Sequence, residues 1–338
     1  MKYTTYLLEW FDKNKRQMPW RQRRDAYGIW VSEVMLQQTQ VDTVRPYYER
    51  FMERFPTVQD LAKATQEEVY TYWQGLGYYR RADNLHKGAQ VVANQYGGDF
   101  PTDPKLVKKI PGIGPYTMGA VLSIAFNLPY PAVDGNVMRV LSRQFLIQED
   151  IAVPKTRKVF EEKVMLLMPE DARNFNQALM ELGALICTPK NPKCEQCPMN
   201  KLCMAYEKNV QMEYPIKSSK TKNKPDFYKA LILKKGNQVY LEKRPNEGLL
   251  AKLWGVPLIS ESTWEKMNLE GIEYSLLEQV QHVFTHRKWV MTPVVIECNE
   301  GNEIRFKEIL QSGGEFVSPK QWECYAIATA FKKVLGQL

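Results

Sequence analysis

The chain has 338 residues, of which 44% are hydrophobic and 25% are charged, and its net charge at pH 7 is +8. Two domains of ordinary size are expected, and no apolar stretch approaches the length that a membrane-spanning helix needs. Residues 1–20 are charged and lack the apolar core of a secretory signal, so we expect a cytoplasmic protein that engages no membrane.

The positive charge is concentrated in the first two-thirds of the chain. Residues 1–225 contain 32 Lys and Arg against 24 Asp and Glu, whereas residues 226–338 contain 14 of each. A polyanion such as DNA is therefore the expected partner of the first part, attracted by a salt-sensitive field. A merely soluble basic surface would show the same excess, so charge alone does not decide.

One glutamate stands out in the first two predicted helices, which cover residues 3–13 and 27–41. Glu33 has mainly apolar neighbours at helical spacing, among them Ile29 and Leu36. A lone Glu in a helix is usually solvated. An apolar setting would instead raise the pKa of this carboxyl group and keep it protonated near neutrality, as a general acid requires.

Residues 45–85 are predicted to contain several helices, one of them over 56–70, and a glycine turn at 75–80 flanked by aromatic residues. Tyr78 in this turn could stack on nucleic-acid bases or wedge between them. A tyrosine packed at a core interface would look the same in the sequence.

Residues 106–140 show the pattern of a helix, a glycine hairpin and a second helix. Pro111 ends the first helix, and Gly112 and Gly114 permit backbone angles that a residue with a Cβ resists. Backbone N–H groups would then point outward where the second helix starts, which makes a site for an anion such as phosphate. An ordinary tight turn between packed helices fits the pattern equally well.

An aspartate follows this hairpin closely. Asp134 precedes Gly135 and a helical run, so its common role is that of an N-cap. A helix N-terminus favours the charged form of the group, and Asp134 is therefore expected to stay ionised. A protonated Glu33 and an ionised Asp134 would be the acid and the anion that glycoside cleavage requires.

Four cysteines begin at the end of a strong predicted helix over 175–187. They are Cys187, Cys194, Cys197 and Cys203, separated by six, two and five residues. Close thiols in a reduced compartment indicate a metal site, and their chemistry allows a zinc ion or an iron–sulfur cluster, with two disulfides as a weaker third option. Cys298 and Cys324 lie far away and are expected to be ordinary thiols.

The pattern changes in the last third of the chain. Residues 209–226 are polar and basic and are predicted to form a linker. Residues 227–338 then show short alternating strands that begin with a hairpin, and they end in a helix predicted over 322–335. The sequence thus predicts a mainly α domain over 1–208 and an α+β domain over 227–338.

The hairpin, the aspartate and the cysteine spacing resemble the endonuclease III superfamily of DNA glycosylases, and residues 32–40 resemble its adenine glycosylase branch, the MutY family. The resemblance implies a helix-hairpin-helix glycosylase domain with a [4Fe–4S] cluster loop, followed by a Nudix-like domain. The acidic, Glu-rich helix with which Nudix hydrolases hold Mg²⁺ is missing, so the fold is expected without pyrophosphatase activity.

The resemblance also implies an activity and a set of site residues. The activity is monofunctional hydrolysis of the glycosidic bond of adenine opposite 8-oxoguanine or guanine in duplex DNA, by a monomer associated with the nucleoid. The implied catalytic residues are Glu33, Asp134, Tyr116 and Asn136, and the adenine pocket comprises Trp20, Arg21, Leu36 and Gln177. The implied DNA contacts are Gln38, Tyr78, Gly112, Gly114, Phe284, Thr285 and His286, and the cluster ligands are Cys187, Cys194, Cys197 and Cys203.

Two of these positions depart from a family pattern. Tyr116 occupies the place of the lysine that forms a Schiff base in members with lyase activity, so strong lyase activity is not expected. Thr285 replaces a serine in the loop that recognises 8-oxoguanine, which keeps the hydroxyl group but adds a methyl group.

Three other functions remain open at this point. The first is a bifunctional pyrimidine-lesion glycosylase and lyase of the endonuclease III type, which a Schiff base trapped with borohydride would support. The second is a nucleotide-pool hydrolase, which pyrophosphate release from an oxidised dGTP would support. The third is a DNA-binding protein without catalysis, and failure to release adenine would support it.

Overall fold

The structure is a computed structural model that describes residues 2–218, 225–267, 269–284, 287–299, 306, 310 and 313–338. It divides into two compact units. The first consists of Met1–Ala64 with Arg80–Lys220, and the second consists of Thr65–Tyr79 with Thr221–Leu338. The short segment 65–79 thus groups with the C-terminal part, whereas the sequence predicted an uninterrupted first domain.

Helices make up most of the first unit. In chain order, the helices of the described residues are α1 (Lys2–Asn14), α2 (Pro19–Gln22), α3 (Ala26–Leu36), α4 (Val41–Arg54), α5 (Val58–Lys63), α6 (Gln66–Trp73), α7 (Arg80–Gln95), α8 (Pro104–Val107), α9 (Pro115–Phe126), α10 (Gly135–Phe145), α11 (Arg157–Leu167), α12 (Ala172–Leu185), α13 (Met204–Glu207), α14 (Glu261–Lys266) and α15 (Thr329–Leu335). Helices α6, α14 and α15 belong to the second unit. Among the residues described, no helix is both long and apolar enough to cross a membrane.

Polar caps set where several of these helices begin. Asp25, Asp134 and Asp171 each accept a hydrogen bond from the backbone N–H three residues later, at the starts of α3, α10 and α12. Thr57 and Asp60 form a reciprocal capping box at α5. Each cap provides a partner for an N–H group that has none within its own helix.

Helix α3 is shorter than the sequence predicted. The prediction covered residues 27–41, but the helix ends at Leu36, and Gln38 follows with a φ of +58°. The guanidinium group of Arg81 donates hydrogen bonds to three carbonyl oxygens between residues 34 and 37. These carbonyls therefore have partners outside the helix, and the donor lies 44 to 47 positions away in the chain, where local periodicity cannot reveal it.

Two other predicted helices are interrupted. The helix predicted over 56–70 is in fact α5 followed by α6, because Thr65 lies between them and its side chain caps α6. In the helix predicted over 322–335, only the second half is the α-helix α15. Ile327 forms a β-bridge with Trp254 instead, so an extended residue interrupts the helical pattern.

One core of the first unit lies between helices α1, α10 and α12. Leu7 of α1, Val137 and Leu141 of α10, and Phe175 and Leu182 of α12 are fully buried there. A second contact joins α3 to α9, which follows the glycine hairpin. The helices that carry the predicted acid and its anionic partner are therefore fixed by packing.

Within the described residues, the second unit contains a mixed sheet of eight strands. Its strands are β1 (Pro225–Lys235), β2 (Gln238–Lys243), β3 (Trp254–Gly255), β4 (Leu258–Ser260), β5 (Tyr274–Leu276), β6 (Val280–Val283), β7 (Lys288–Glu297) and β8 (Glu315–Val317). Strands β1 and β7 pair in parallel within the order β3-β2-β1-β7-β5, and β4, β6 and β8 pair antiparallel with β1, β7 and β2. The predicted hairpin is confirmed, with β1 and β2 joined at Gly236, whose φ is +59°.

Candidate active site

The first unit contains a cavity of about 720 Å³ walled by α2, α3, the glycine hairpin, α9, α10 and α12. Eleven of the residues that the sequence singled out line it: Trp20, Arg21, Glu33, Leu36, Gln38, Gly112, Gly114, Tyr116, Asp134, Asn136 and Gln177. Residues from five separate stretches of the chain thus meet in one cavity, which is what a catalytic site requires.

Glu33 is buried in the wall of this cavity. Its side chain is 6% exposed, and its Oε2 accepts a hydrogen bond from the hydroxyl group of Tyr116. Burial raises the pKa of Glu33 to about 7, and the nearby charge of Asp134 adds to the rise. The Tyr116 hydrogen bond and the charge of Arg21 act in the opposite direction. The carboxyl group can therefore hold a proton near neutral pH and release it to a substrate.

Asp134 caps helix α10, as the sequence predicted. Its Oδ1 accepts a hydrogen bond from the Val137 backbone N–H at 2.7 Å, and its Oδ2 accepts one from Asn136 Nδ2 at 2.7 Å. Burial raises the pKa of Asp134, while these hydrogen bonds and the charge of Arg139 limit the rise. The direction is opposite to the one that a helix cap alone would give, because the carboxyl group is removed from water.

Tyr116 is the second residue of α9, and its hydroxyl group interacts electrostatically with both Glu33 and Asp134. Its hydroxyl group donates to Glu33, and the Sδ atom of Met180 lies 3.3 Å away. Burial raises the pKa of Tyr116 well above its ordinary value, and the charges of Glu33 and Asp134 add to this. The hydroxyl group therefore keeps its proton. No lysine lines the cavity in the described part of the chain.

A buried ion pair that sequence analysis missed forms another part of the wall. Glu181 accepts hydrogen bonds from Arg16 Nε at 2.9 Å and from Arg21 Nη2 at 3.0 Å, and Arg21 Nε donates to Gln177 Oε1 at 3.1 Å. Burial alone would raise the pKa of Glu181, but the two arginines lower it to about 2. A lone Glu in the apolar stretch 175–187 was the available signal, the same one that drew attention to Glu33.

Helix α8 ends at Val107, so the prediction that Pro111 ends the first helix is wrong, and the glycine hairpin differs from its prediction at Gly114 as well. Gly112 has a φ of +80°, and a Cβ there would lie 2.7 Å from Cβ of Asn84, so glycine is required. Gly114 has a φ of −89° and open space around it, so it does not adopt the backbone angles disfavoured for residues with a Cβ that the sequence predicted there. Helix α9 begins at Pro115 without a side-chain cap, which leaves its first N–H groups available to an anion.

The four clustered cysteines surround a separate, small cavity in the first unit. They are Cys187, Cys194, Cys197 and Cys203. No three His, Cys, Asp or Glu side chains within the described ranges converge closely enough for one metal ion. The four thiols lie around one cavity, and thiolates are the ligands that an iron–sulfur cluster takes, so the donor set fits the cluster.

Hydrogen bonds connect this cysteine loop to the larger cavity. Arg139 Nε donates to the carbonyl oxygen of Cys187 at 2.7 Å, and its Nη2 donates to Asn136 Oδ1 at 2.9 Å. Asn136 in turn donates to Asp134. Arg143 lies beside the loop, with Nη1 3.4 Å from the Sγ of Cys187. The loop thus supports the position of Asp134 through two intermediate side chains.

Of the remaining predicted DNA contacts, Tyr78 and Phe284 do not line the cavity. Tyr78 belongs to the second unit, is 47% exposed and has a φ of +50°. Phe284 follows β6, and its ring centroid lies 4.7 Å from that of His282 and 4.8 Å from that of Trp289. Thr285 and His286 lie outside the described residues. The predicted DNA contacts are thus divided between the two units.

Three segments of the chain match known families. Residues 31–167 match the HhH-GPD superfamily base excision DNA repair protein family, and residues 228–337 match the NUDIX domain. Residues 187–203 match the iron-sulfur binding domain of endonuclease III. These matches confirm the predicted fold class, and the cofactor of the chain is a [4Fe–4S] cluster.

Known structures resemble the first part of the chain. A thermostable thymine-DNA glycosylase is 34% identical with a TM-score of 0.56, and the match covers 61% of this chain and 95% of that one. Endonuclease III from a non-covalent complex with DNA has a TM-score of 0.52 at 24% identity, covering 62% of this chain and 99% of that one. At this identity the second match shows a shared fold only.

Relatives of known function match nearly the whole chain. The adenine DNA glycosylase of Arabidopsis thaliana is 36% identical over 94% of this chain and 60% of its own length. The one from Homo sapiens is 34% identical over 97% and 72%, and the one from Buchnera aphidicola subsp. Schizaphis graminum is 33% identical over 88% of both chains. This chain spans less than two-thirds of the plant relative but most of the other two. It belongs to the adenine DNA glycosylase family.

Proposed function

We propose that this protein hydrolyses the N-glycosidic bond of adenine in duplex DNA, and that its preferred substrate is adenine opposite 8-oxoguanine, with adenine opposite guanine as a second substrate. It acts as a monomer without lyase activity, in the cytoplasm and on the nucleoid. The supporting observation is that two buried carboxyl groups, Glu33 and Asp134, line one cavity beside the hydroxyl group of Tyr116.

The reaction begins when the adenine leaves the base stack and enters the cavity, which costs least at a mispair. Adenine is a poor leaving group as an anion. Glu33 holds a proton near neutrality and donates it to the imidazole-ring nitrogen of the base. The electrons of the glycosidic bond then pass to the protonated base, which leaves as neutral adenine. Tyr116 keeps Glu33 in place through its hydrogen bond.

The sugar becomes positively charged as the bond breaks. Asp134 stabilises this oxocarbenium character by its charge or by a transient covalent bond, while Asn136 and the N–H of Val137 hold the carboxylate in position. Water completes the hydrolysis, and Glu33, now deprotonated, accepts a proton from it. No step requires an amine, in agreement with the absence of lysine from the cavity lining of the described residues.

The adenine pocket is formed by Trp20, Arg21, Leu36 and Gln177 in this proposal. The ion pair with Glu181 and the hydrogen bond to Gln177 fix the position of Arg21. Trp20 is buried, and its ring packs edge-on against Tyr48 with 5.3 Å between centroids. These side chains are therefore already in place before adenine binds, which lowers the entropic cost of binding.

Other predicted residues hold the DNA. The hairpin at Gly112 and Gly114 presents the uncapped N–H groups of α9 to a phosphate, and Gln38 and Tyr78 fill the stack that the adenine vacates. Phe284, with Thr285 and His286, contacts the opposite base in this proposal. The support for Phe284 is that its ring packs edge-on against the aromatic rings of His282 and Trp289.

The ligands of the [4Fe–4S] cluster are the four cysteines of the 187–203 segment, Cys187, Cys194, Cys197 and Cys203. When bound, the cluster cross-links the loop, and hydrolysis needs no redox step. The chain's own contribution is the series of hydrogen bonds from Cys187 through Arg139 and Asn136 to Asp134. Loss of the cluster is therefore expected to disturb the position of Asp134.

A single-turnover assay tests the proposal. The full chain with its cluster is mixed in excess with duplexes that contain A:8-oxoguanine, A:G or A:T, and released adenine is measured over time. Release should be fastest from A:8-oxoguanine and negligible from A:T. Absence of adenine release from the first two duplexes would refute the proposed function, and a borohydride-trapped adduct would indicate the bifunctional alternative.

A further inference from the structure

Three arginines line the cavity in the described part of the chain, and they differ in their partners. Arg16 and Arg21 are ion-paired with Glu181. Arg157, the first residue of α11, has no carboxylate partner among the described residues. Its Nη1 donates to the carbonyl oxygen of Val133 at 3.2 Å, and this is the one hydrogen bond that the described residues give it.

The position of Arg157 poses an electrostatic problem for the reaction. Val133 directly precedes Asp134, so the guanidinium group is anchored to the backbone next to the residue whose carboxylate faces the developing positive charge of the sugar. Its charge acts on the hydroxyl group of Tyr116 as well. A fixed cation here would oppose an oxocarbenium-like transition state unless an anion neutralises it. No carboxylate of the described residues forms an ion pair with Arg157, and in the proposed reaction Asp134 faces the sugar, so we expect the substrate to supply the anion.

DNA carries one candidate anion on each side of the extruded nucleotide. Each flanking phosphodiester bears a negative charge, and the planar guanidinium fork matches a phosphate with two parallel hydrogen bonds. The hydrogen bond to Val133 uses one of the five N–H donors of Arg157, which leaves enough for such a contact.

We propose that Arg157 binds a phosphodiester next to the extruded adenine nucleotide and so holds the sugar against Asp134. The proposal deepens the proposed function, because it assumes a duplex substrate with an extruded nucleotide. The contact neutralises Arg157 only when DNA is bound, so the cation helps to position the sugar without opposing its charge. Arg157 is a phosphate-binding residue in this account and takes no part in proton transfer.

The test replaces each flanking phosphate, one at a time, by a neutral methylphosphonate. The duplex contains an A:8-oxoguanine pair whose adenosine carries a 2′-fluorine, so that the base is retained and equilibrium affinity can be measured. Wild type is compared with Arg157→Gln and with Lys158→Gln, which removes the same charge from the next residue of α11, where the side chain is 81% exposed.

At one of the two linkages, methylphosphonate should weaken binding of wild type and of Lys158→Gln by about tenfold, the usual size of a charge-assisted hydrogen bond to phosphate. The same change should weaken Arg157→Gln by less than about twofold, because the contact is already absent. Arg157→Gln should also reduce the slope of log affinity against log salt by about 1. Equal losses in wild type and Arg157→Gln at both linkages would overturn the proposal and leave Arg157 as a support for Val133.

Two controls distinguish loss of the phosphate contact from loss of charge alone and from misfolding. Arg157→Lys retains the charge but not the fork, so it should restore the salt slope and only part of the affinity. Melting temperature and the visible absorption of the cluster report whether each variant is folded. Because this assay measures binding, and adenine release by wild type from unmodified DNA is measured separately, failure of the phosphate site and failure of the proposed function are distinct results.

Discussion

Glu33 and Glu181 are two buried glutamates in the wall of one cavity, and their pKa values are shifted in opposite directions. Their side chains are 6% and 3% exposed. Burial acts to raise the pKa of both carboxyl groups, yet the pKa of Glu33 rises to about 7 while that of Glu181 falls to about 2. Glu33 accepts one hydrogen bond from a neutral phenol, whereas Glu181 accepts several from two arginines.

The difference shows that charged partners, more than burial, decide what a carboxyl group can do here. A carboxyl group without a cationic partner keeps its proton and can act as an acid. One that is paired with two guanidinium groups stays ionised and serves to hold them in place. The cavity therefore contains one glutamate suited to chemistry and one suited to structure, and the changes below test that division.

The largest effect is expected at Glu33. Glu33→Gln removes the transferable proton while keeping the shape, so base release should fall by about 10²- to 10⁴-fold, the usual contribution of a general acid. Single-turnover release of adenine and a band-shift assay measure rate and binding separately. Binding should be nearly unchanged, and Glu49→Gln on the exposed side of α4 should behave as wild type. Near-native turnover by Glu33→Gln would contradict the acid role.

Asp134→Asn should slow base release by about 10²- to 10³-fold, because it removes the charge opposite the sugar. Asparagine is also a good N-cap, so the melting temperature should change little. Asp171→Asn makes the same substitution at the cap of α12, outside the cavity lining, and controls for the cap itself. A matching loss of activity in both variants would show that capping, not charge, is what Asp134 provides.

Glu181→Gln should lower the free energy of unfolding by about 3 kcal/mol, because it leaves Arg16 and Arg21 without their buried partner. A lowered carboxyl pKa stabilises the fold above the unfolded value of 4.5 and loses that effect as pH falls towards 2. The melting temperature of Glu181→Gln should thus lie below that of wild type by a constant amount above pH 5. Below pH 4.5 the two melting temperatures should converge. Glu297→Gln, at an exposed ion pair with Lys234, should cost less than about 1 kcal/mol.

Glu33→Gln should have the opposite effect on stability. A raised carboxyl pKa favours the fold below the unfolded value of 4.5, and this advantage is lost as pH rises through about 7. A neutral Gln avoids the loss, so the variant should be more stable than wild type at pH 8, by up to about 3 kcal/mol. The gain should disappear below pH 4.5. Melting temperatures measured across this range with the cluster intact provide the check, and a variant less stable at pH 8 would be inconsistent with the raised pKa.

The smallest effect is expected at Tyr116. Its hydrogen bond lowers the pKa of Glu33, so Tyr116→Phe should raise that pKa further and move the alkaline limb of the rate profile to higher pH. Loss of one hydrogen bond should change the rate at pH 7 by less than about tenfold. Single-turnover rates between pH 6 and 9 measure this, with Tyr47→Phe on α4 as the control outside the cavity lining. A shift to lower pH would show that Tyr116 does not stabilise the ionised Glu33.

The site was predictable wherever a signal lay within a short stretch of sequence. An isolated carboxyl group in an apolar helix indicated Glu33, a cap position indicated Asp134, and spacing alone indicated the four cysteines. The hairpin glycine at position 112 was also predictable, because a φ of +80° is a local property. At Gly114 the same reasoning failed, since the backbone there is extended and the space around it is open.

By itself, the sequence determined the mainly helical first domain, the strand-rich last third of the chain, the cysteine loop and the buried acid Glu33. Each of these depends on neighbours a few residues apart. Only the tertiary structure decided that Glu181 would be ionised, since its partners Arg16 and Arg21 lie 165 and 160 positions away. It also decided where α3 ends and that Arg157 donates a hydrogen bond to the carbonyl oxygen of Val133. These features depend on electrostatic and hydrogen-bonding partners that only folding brings together, and no local pattern encodes them.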